Sequence, residues 1–381
     1  MNKTLLLVFS IAFIIGTSYG MHNPVLPLFA KNEIGATYSE LGLIGLANFI
    51  PYMFIPLFVG ILLDRFNNGY LLSIGVIINS ISIFLLSSAE SVPEVMIFRA
   101  MTGFAHAFFW PPSSSIISKV SKKHDRVKNI GKFTGLFISG FMIGPLIGGY
   151  ILDFSDESYR LLFEITSFVL GSAIIAAIWT TKRRVTVHQE KVSIINLKEI
   201  TKFKTVIAII LFCNFVFGTI LIIYPAYLND QSFSAVEVEI LFFVFGISRV
   251  VTLIFTGRLA NHSGKTIIFA CLSITTGLFL SFYTDNVFVF GAALLSMGFG
   301  FGIFFPLTLE VVLSRTRENI RGSIIGAYET IFGIGWVIGP LSAGLISEHF
   351  GNHYPYIMFF VIGIGISIMA FVKRENLTII R

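Results

Sequence analysis

Residues 140–151 read GFMIGPLIGGYI, and residues 333–346 read GIGWVIGPLSAGLI. Both contain G-x-x-x-G-P-x-x-[GA]-G, opening at Gly140 in the first copy and Gly335 in the second, an offset of 195 residues. Glycine and proline disfavour a helix in water by roughly 1 and 3 kcal/mol relative to alanine, yet here they stand in strongly apolar surroundings. A bilayer changes that reading. With no water to compete for the backbone, a membrane-crossing segment is helical, and neighbouring helices re-satisfy the groups that proline frees. Small residues at i and i+4 let two helix backbones approach closely. The phrase makes sense as helix only if its solvent is lipid.

The rest of the chain agrees. It has 381 residues, 55% hydrophobic and 13% charged, with a mean hydropathy of +0.83; an ordinary soluble domain carries about 25% charged residues. A bilayer crossing needs about 20 apolar residues, and twelve such runs are legible, at 4–30, 39–63, 70–88, 93–118, 130–152, 159–181, 204–228, 236–257, 265–284, 286–313, 322–346 and 352–372. That leaves about 32 residues per span and loop, with no room for a soluble domain. The expected class is an all-α integral membrane protein with twelve transmembrane helices. The first 20 residues have the lysine, apolar stretch and small residues of a signal peptide, but the apolar run continues through PVLPLF (24–29), so they are read as span 1. Cys213 and Cys271 fall on different spans and read as apolar packing residues.

The net charge of +6 is unevenly placed. With both termini cytoplasmic, the cytoplasmic segments hold 23 of the 27 Lys and Arg residues; Lys31 and Arg160 are external, and Arg99 and Arg249 lie within spans. This is the positive-inside bias. The basic clusters KVSKKHDRVK (119–128) and KRRVTVHQEK (182–191) are therefore topology signals first, and no nucleic-acid partner is expected.

The chain is also a duplication. GFAHAFFWP (103–111) matches GFGFGIFFP (298–306) at the offset of the opening phrase, and GILLDRFNNG (60–69) matches GRLANHSGK (257–265). NPVLPLF (23–29) is answered more loosely by IYPAYL (223–228). The expected domains are a six-helix bundle over 1–181, a basic cytoplasmic linker over 182–203, and a second six-helix bundle over 204–381. An even number of spans per half makes the halves parallel, the layout of one large transporter class.

These phrases resemble the signatures of the major facilitator superfamily, over essentially the whole chain. GFMIGPLIGG is similar to the family's motif C on helix 5, associated with exporters and notably drug:proton antiporters; it places Gly140, Gly144, Pro145, Gly148 and Gly149. GILLDR resembles the start of the loop motif between helices 2 and 3, with Gly60, Asp64 and Arg65, although FNNG stands where a glycine and a basic pair are usual and Asn261 replaces the acid in the second copy. FRAMTGFAHA resembles the helix 4 motif, with Arg99 and Gly103. The resemblance implies the major facilitator fold, a cavity lined by spans 1, 4, 7 and 10, and a contact between the halves along spans 5 and 11. The stripe Gly140, Gly144, Gly148 and its counterpart Gly335, Gly339 with Pro340 are then expected at that seam, and Asp64 at an inner gate.

Arg99 lies about six residues, or roughly 9 Å, into span 4. An arginine at that depth faces a partner or a water-filled path. Arg99, Gly103 and His106 share one helical face, as do Tyr19, His22 and Asn23 on span 1. The two polar faces are expected to meet in the cavity. Each histidine is either a satisfied packing residue or a group that titrates and couples protons. Within spans, Glu329 is the first candidate for carrying a proton and Glu310 the second, either of them fixed instead in an ion pair; Arg249 is the candidate partner. Glu164, four residues from Arg160, reads as an interfacial pair. Phe109, Trp110, Tyr224, Tyr227 and Trp336 are expected near the cavity, where aromatic faces suit an amphipathic solute.

The function expected is secondary active transport by alternating access, with protons driving export of small amphipathic or drug-like compounds. A sugar, metabolite or lipid carrier of the same fold is the alternative. A membrane enzyme or a non-transporting sensor fits less well, since neither clustered ligands at a membrane face nor a signalling domain is legible. No cofactor or metal is expected, no P-loop supports ATP coupling, and the two halves supply both sides of the path, so a monomer in the cell membrane is anticipated.

Overall fold

The computed structural model describes residues 3–63, 65–122, 125–181, 200–283, 286–317 and 321–379. Its helices are α1 (Lys3–His22), α2 (Leu26–Asn32), α3 (Tyr38–Leu63), α4 (Asn68–Leu86), α5 (Val92–Ala107), α6 (Trp110–Val120), α7 (Arg126–Phe154), α8 (Tyr159–Thr181), α9 (Lys204–Ile222), α10 (Tyr224–Asp230), α11 (Ala235–Leu259), α12 (Ser263–Tyr283), α13 (Val287–Ser314), α14 (Arg321–Phe350) and α15 (Tyr354–Val372), with no strand among the described residues.

Lys3–Asn32, Asn68–Leu86, Lys128–Phe154, Tyr159–Thr181, Thr201–Ile222, Val287–Ser314, Ala327–Phe350 and Tyr354–Val372 each have the length and apolarity to cross a bilayer, and Ala235–Tyr283 supplies two more helices around a 3-10 turn at Ala260–His262. Helix α3 and the α5–α6 pair complete the expected twelve. The outward surface is correspondingly apolar: Phe58, Phe168, Ile254, Phe288 and Val372 are all exposed, a pattern that suits lipid rather than water.

Proline decides where spans break. Span 1 stops at His22, ahead of Asn23-Pro24, and resumes as α2; the residue before proline is pushed out of the helical region and the proline lacks an N–H. Span 7 repeats the break at Ile223, just ahead of Pro225. Span 4 also divides, at Phe108-Phe109, with Pro111 and Pro112 opening α6. Its counterpart α13 has the single Pro306 and runs through it unbroken.

Two compact units result. The first is Met1–Glu190 with Leu228–Phe243, the second Lys191–Tyr227 with Val244–Arg381. In the first, α1 packs chiefly on α7, α4 on α8 and α3 on α5. In the second, α9 packs on α14 and α12 on α13 and α15. Spans 1 and 5, and their repeats 7 and 11, thus form the same pair in both units. The basic linker falls largely within 182–199, outside the described residues.

Candidate functional site

The glycine stripe sits at the α1–α7 crossing. A methyl carbon built on Gly140 would lie 2.3 Å from the Phe13 carbonyl oxygen, and one on Gly144 would lie 2.5 Å from both the Gly20 Cα and the Thr17 oxygen. Methyl carbons built on Gly16 and Gly20 of α1 would likewise lie 2.1 and 2.4 Å from the Phe137 and Phe141 carbonyl oxygens of α7. Backbone rests on backbone. Pro145 frees the Phe141 carbonyl from its helix bond, and that oxygen faces Gly20, where a Cα–H donor is available. The second unit repeats the device: Pro340 frees the Trp336 carbonyl, which lies 2.9 Å from the point a Gly218 Cβ would occupy, while Gly335 and Gly339 abut Asn214 and Phe215 of α9. This corrects the expected placement. Gly140, Gly144, Gly335 and Gly339 clamp spans 5 and 11 to spans 1 and 7 of their own units, because a missing side chain records that some backbone comes close, not which one.

The polar faces of spans 1 and 4 do meet, within the first unit. Arg99 is 2% exposed. Its Nη1 donates to Asn23 Oδ1 at 3.3 Å, while its Nε has no hydrogen-bond partner among the described residues. No carboxylate there lies within ion-pair distance of it. Asn48 of α3 steadies the arginine's backbone, donating from Nδ2 to the Arg99 carbonyl at 3.0 Å and to Thr102 Oγ1 at 2.7 Å. The close approach of α3 to α5 depends on Gly103, whose Cβ would fall 2.0 Å from the Asn48 oxygen.

His106 lies one helical turn past Gly103. Its Nε2 meets the Trp110 indole N–H, and its Nδ1 lies 2.9 Å from the Tyr19 hydroxyl. An indole N–H only donates, so Nε2 must accept and the ring proton sits on Nδ1, where it is donated to Tyr19. Aromatic rings enclose the imidazole: Tyr19 at 5.0 Å, Tyr52 at 4.7 Å, and Phe109, Trp110 and Phe137 at 6.0, 6.0 and 6.3 Å between centroids. His22 lies 5.4 Å from Tyr19 between ring centroids with the rings tilted, donates through Nδ1 to the Ser18 carbonyl at 2.6 Å, and leaves Nε2 buried without a partner among the described residues. A buried guanidinium, two imidazoles and an aromatic box thus converge on one face.

The second unit is assembled differently. The Arg249 guanidinium lies 4.9 Å over the Phe217 ring, which stacks on Trp336 at 5.6 Å. No ion pair joins Arg249 to Glu310 or Glu329 among the described residues. Glu310 lies on α13 and Glu329 on α14. Tyr224 and Tyr227 are corrected too. Both are fully buried, their hydroxyls committed to Ser281 at 2.6 Å each and their rings packed on Tyr356 and Phe290. They are packing tyrosines, because the break before Pro225 turns α10 toward α12 and α15. Glu164 is not the partner of Arg160, whose Nε donates to Glu33 Oε2 at 2.8 Å.

Sequence reasoning missed the segment Leu228–Phe243. Lys31 of α2 is ion-paired with Asp230, which also accepts from the Tyr38 hydroxyl at 2.7 Å. Asn32 donates to Asn229 Oδ1 at 2.9 Å, and Glu157 Oε1 caps α11 by accepting from the Ala235 N–H at 3.1 Å. One turn further, Glu239 is wholly buried, with neither carboxyl oxygen hydrogen-bonded among the described residues. Its Oε1 occupies the space that a Cβ on Gly148 would need, 2.8 Å from that point, while its own Cβ lies at ordinary contact distance, 3.4 Å, from where a Gly149 Cβ would stand. A signal existed in the sequence. On a helix, Glu237 and Glu239 point about 200° apart, so both cannot face the same surroundings.

Of the gate residues, Asp64 and the surroundings of Gly60 lie outside the described residues, and Arg65 is an exposed residue just past α3.

Two sets of membrane-crossing helices, each with a proline-broken first span and a glycine-clamped fifth, define a polytopic transporter. The sequence matches the Major Facilitator Superfamily over residues 8–340 and 206–378, and the chain belongs to that family. It is 25% identical over 388 residues to the "Quinolone resistance protein NorA" of Staphylococcus aureus (strain COL), covering 99% of this chain and 97% of that protein. It is likewise 25% identical over 396 residues to "Multidrug resistance protein 2" of Bacillus subtilis (strain 168), covering 98% and 97%. Among solved structures it is similar to the nucleoside transporter NupG, with a TM-score of 0.80 at 14% identity over 98% of this chain and 99% of that one. A bacterial homologue of the human lysosomal transporter Spinster gives a TM-score of 0.76 at 16% identity, over 98% and 96%. At such identities the structural likenesses speak for the fold alone. Family membership makes this multi-pass membrane protein a transporter rather than an enzyme.

Proposed function

We propose that the protein exports small amphipathic compounds across the cell membrane in exchange for protons, as a monomer with both termini in the cytoplasm. The observation that carries this reading is the face formed by Arg99, Asn23, Tyr19 and His106 with the rings of Tyr52, Phe109, Trp110 and Phe137. A buried guanidinium without a carboxylate favours a solute bearing an acceptor or negative group, and the rings favour a planar apolar body. A sugar site would instead need many directional polar groups. The names of the two drug-resistance relatives support export, and Glu239, Glu329 and Glu310 are the carboxyl groups proposed to exchange the protons.

The test uses inside-out vesicles with an imposed pH gradient, challenged with aromatic zwitterions and anions, lipophilic cations, nucleosides and sugars. Collapse of the gradient by aromatic amphipaths, lost in an inserted Arg99→Ala variant, is the expected result. Collapse by sugars alone would replace the reading with a metabolite carrier, and collapse that survives Arg99→Ala would remove Arg99 from the substrate site.

A further inference from the structure

Among the described residues, Glu239 is a buried carboxyl with neither oxygen hydrogen-bonded. It sits where the motif C glycines meet the segment Leu228–Phe243 as well as the end of α1. The Met21 carbonyl oxygen and Glu239 Oε1 lie 3.0 and 2.8 Å from the same point, the position of a Gly148 Cβ. The carboxyl is therefore seated on the glycine stripe, against the end of α1, with no side chain between.

The titratable groups on the surrounding elements do not compensate it. On α1, His22 spends its Nδ1 proton on the Ser18 carbonyl. On α7, Tyr150 and Asp153 are exposed. On α11 itself, Glu237 accepts from the Ser234 N–H at 2.9 Å, and Glu157 is engaged with Ala235. Two cations of the same unit, Lys31 and Arg160, are paired with Asp230 and Glu33. An ionised carboxylate enclosed without a hydrogen bond or counter-ion is strongly disfavoured, so a seated Glu239 is a protonated one.

We propose that Glu239 is a proton-operated latch. Protonated, it rests on Gly148 and Gly149 and holds the segment Leu228–Phe243 against α7. To ionise it must leave the glycine contact, hand its proton to water and take the start of α11 with it. The segment belongs to the second repeat by sequence but to the first unit by packing, so its release is a movement that proton loss can drive. This inference rests on the proton-coupled reading above. It gives Gly148 a role distinct from that of Gly140 and Gly144: it leaves room for a carboxyl, whereas they leave room for a helix.

Hydrogen–deuterium exchange of the full-length chain in lipid nanodiscs tests it, followed over the 234–243 peptides from about pH 5 to about pH 10. The rate in the wild type is divided by that in Glu239→Gln at each pH, which cancels the intrinsic pH dependence of exchange. Because opening releases one proton, the ratio should climb by up to about tenfold per pH unit. A flat ratio would overturn the latch. Gly148→Ala supplies a second arm: its methyl should displace the carboxyl and speed exchange of the segment, and should do so much less in a Glu239→Ala background. An equal effect in both backgrounds would assign Gly148 to packing on Met21 and remove the latch. The two readings fail separately. If wild-type vesicles couple no solute to the pH gradient while the ratio still climbs, the exporter reading falls and the latch stands. If wild type and Glu239→Gln both transport and the ratio is flat, the reverse holds.

Discussion

Gly144→Ala is the smallest perturbation that probes the α1–α7 crossing. The new Cβ would lie 2.5 Å from the Gly20 Cα and from the Thr17 oxygen, where ordinary contacts begin near 3.4 Å. The shortfall is about 1 Å, and both obstacles are backbone, so no rotamer change can absorb it; α1 and α7 must separate. Overpacking of this kind costs typically ~1–3 kcal/mol, and about 2 kcal/mol is a roughly thirtyfold loss in the folded ratio. Helix α7 contains its own control. A Cβ on Gly135 meets nothing within 4 Å, so Gly135→Ala should be neutral or stabilising by ~0.5–1 kcal/mol through helix propensity alone. The assay is the denaturation midpoint of both purified variants in the same detergent, together with export rate in vesicles. Gly144→Ala should lower both and Gly135→Ala neither. Equal behaviour of the two variants would refute the close crossing and the account of motif C built on it.

Three further outcomes follow from particular contacts. Tyr227→Phe removes the bond to the Ser281 carbonyl and should cost ~1–2 kcal/mol of stability without altering substrate range; an altered range would return Tyr227 to the cavity. Nitrogen-15 NMR of labelled histidine should find His106 protonated on Nδ1, and Trp110→Phe should release that preference; an Nε2–H form in the wild type would exclude the Trp110 bond. Glu329→Gln should leave the protein folded and inserted while abolishing proton-driven export; full activity would remove Glu329 from the coupling.

The spans were legible because a bilayer forces long apolar runs, and the duplication because the glycine–proline phrases repeat at one offset. The meeting of Tyr19 and Asn23 with His106 and Arg99 was legible for a related reason: i, i+3 and i+4 spacing on two spans leaves one polar face on each, and polar faces seek one another in lipid. What failed did so for definite causes. The stripe Gly140–Gly144 announced a close approach but carried no information about its partner, which proved to be α1. Tyr224 and Tyr227 were misplaced because a proline break reorients a short helix by an amount that residue types do not encode. Glu239 escaped notice because an acid near the start of an apolar run reads as an interfacial residue until the other helices are in place.

The most direct test of the account is uphill transport by the purified chain alone. Reconstituted into liposomes and given an acid jump on the side opposite a fluorescent aromatic amphipath, the protein should accumulate the compound against its gradient, and a protonophore should abolish the accumulation. Downhill leakage unaffected by the protonophore, or accumulation that persists without a pH gradient, would contradict proton-coupled export.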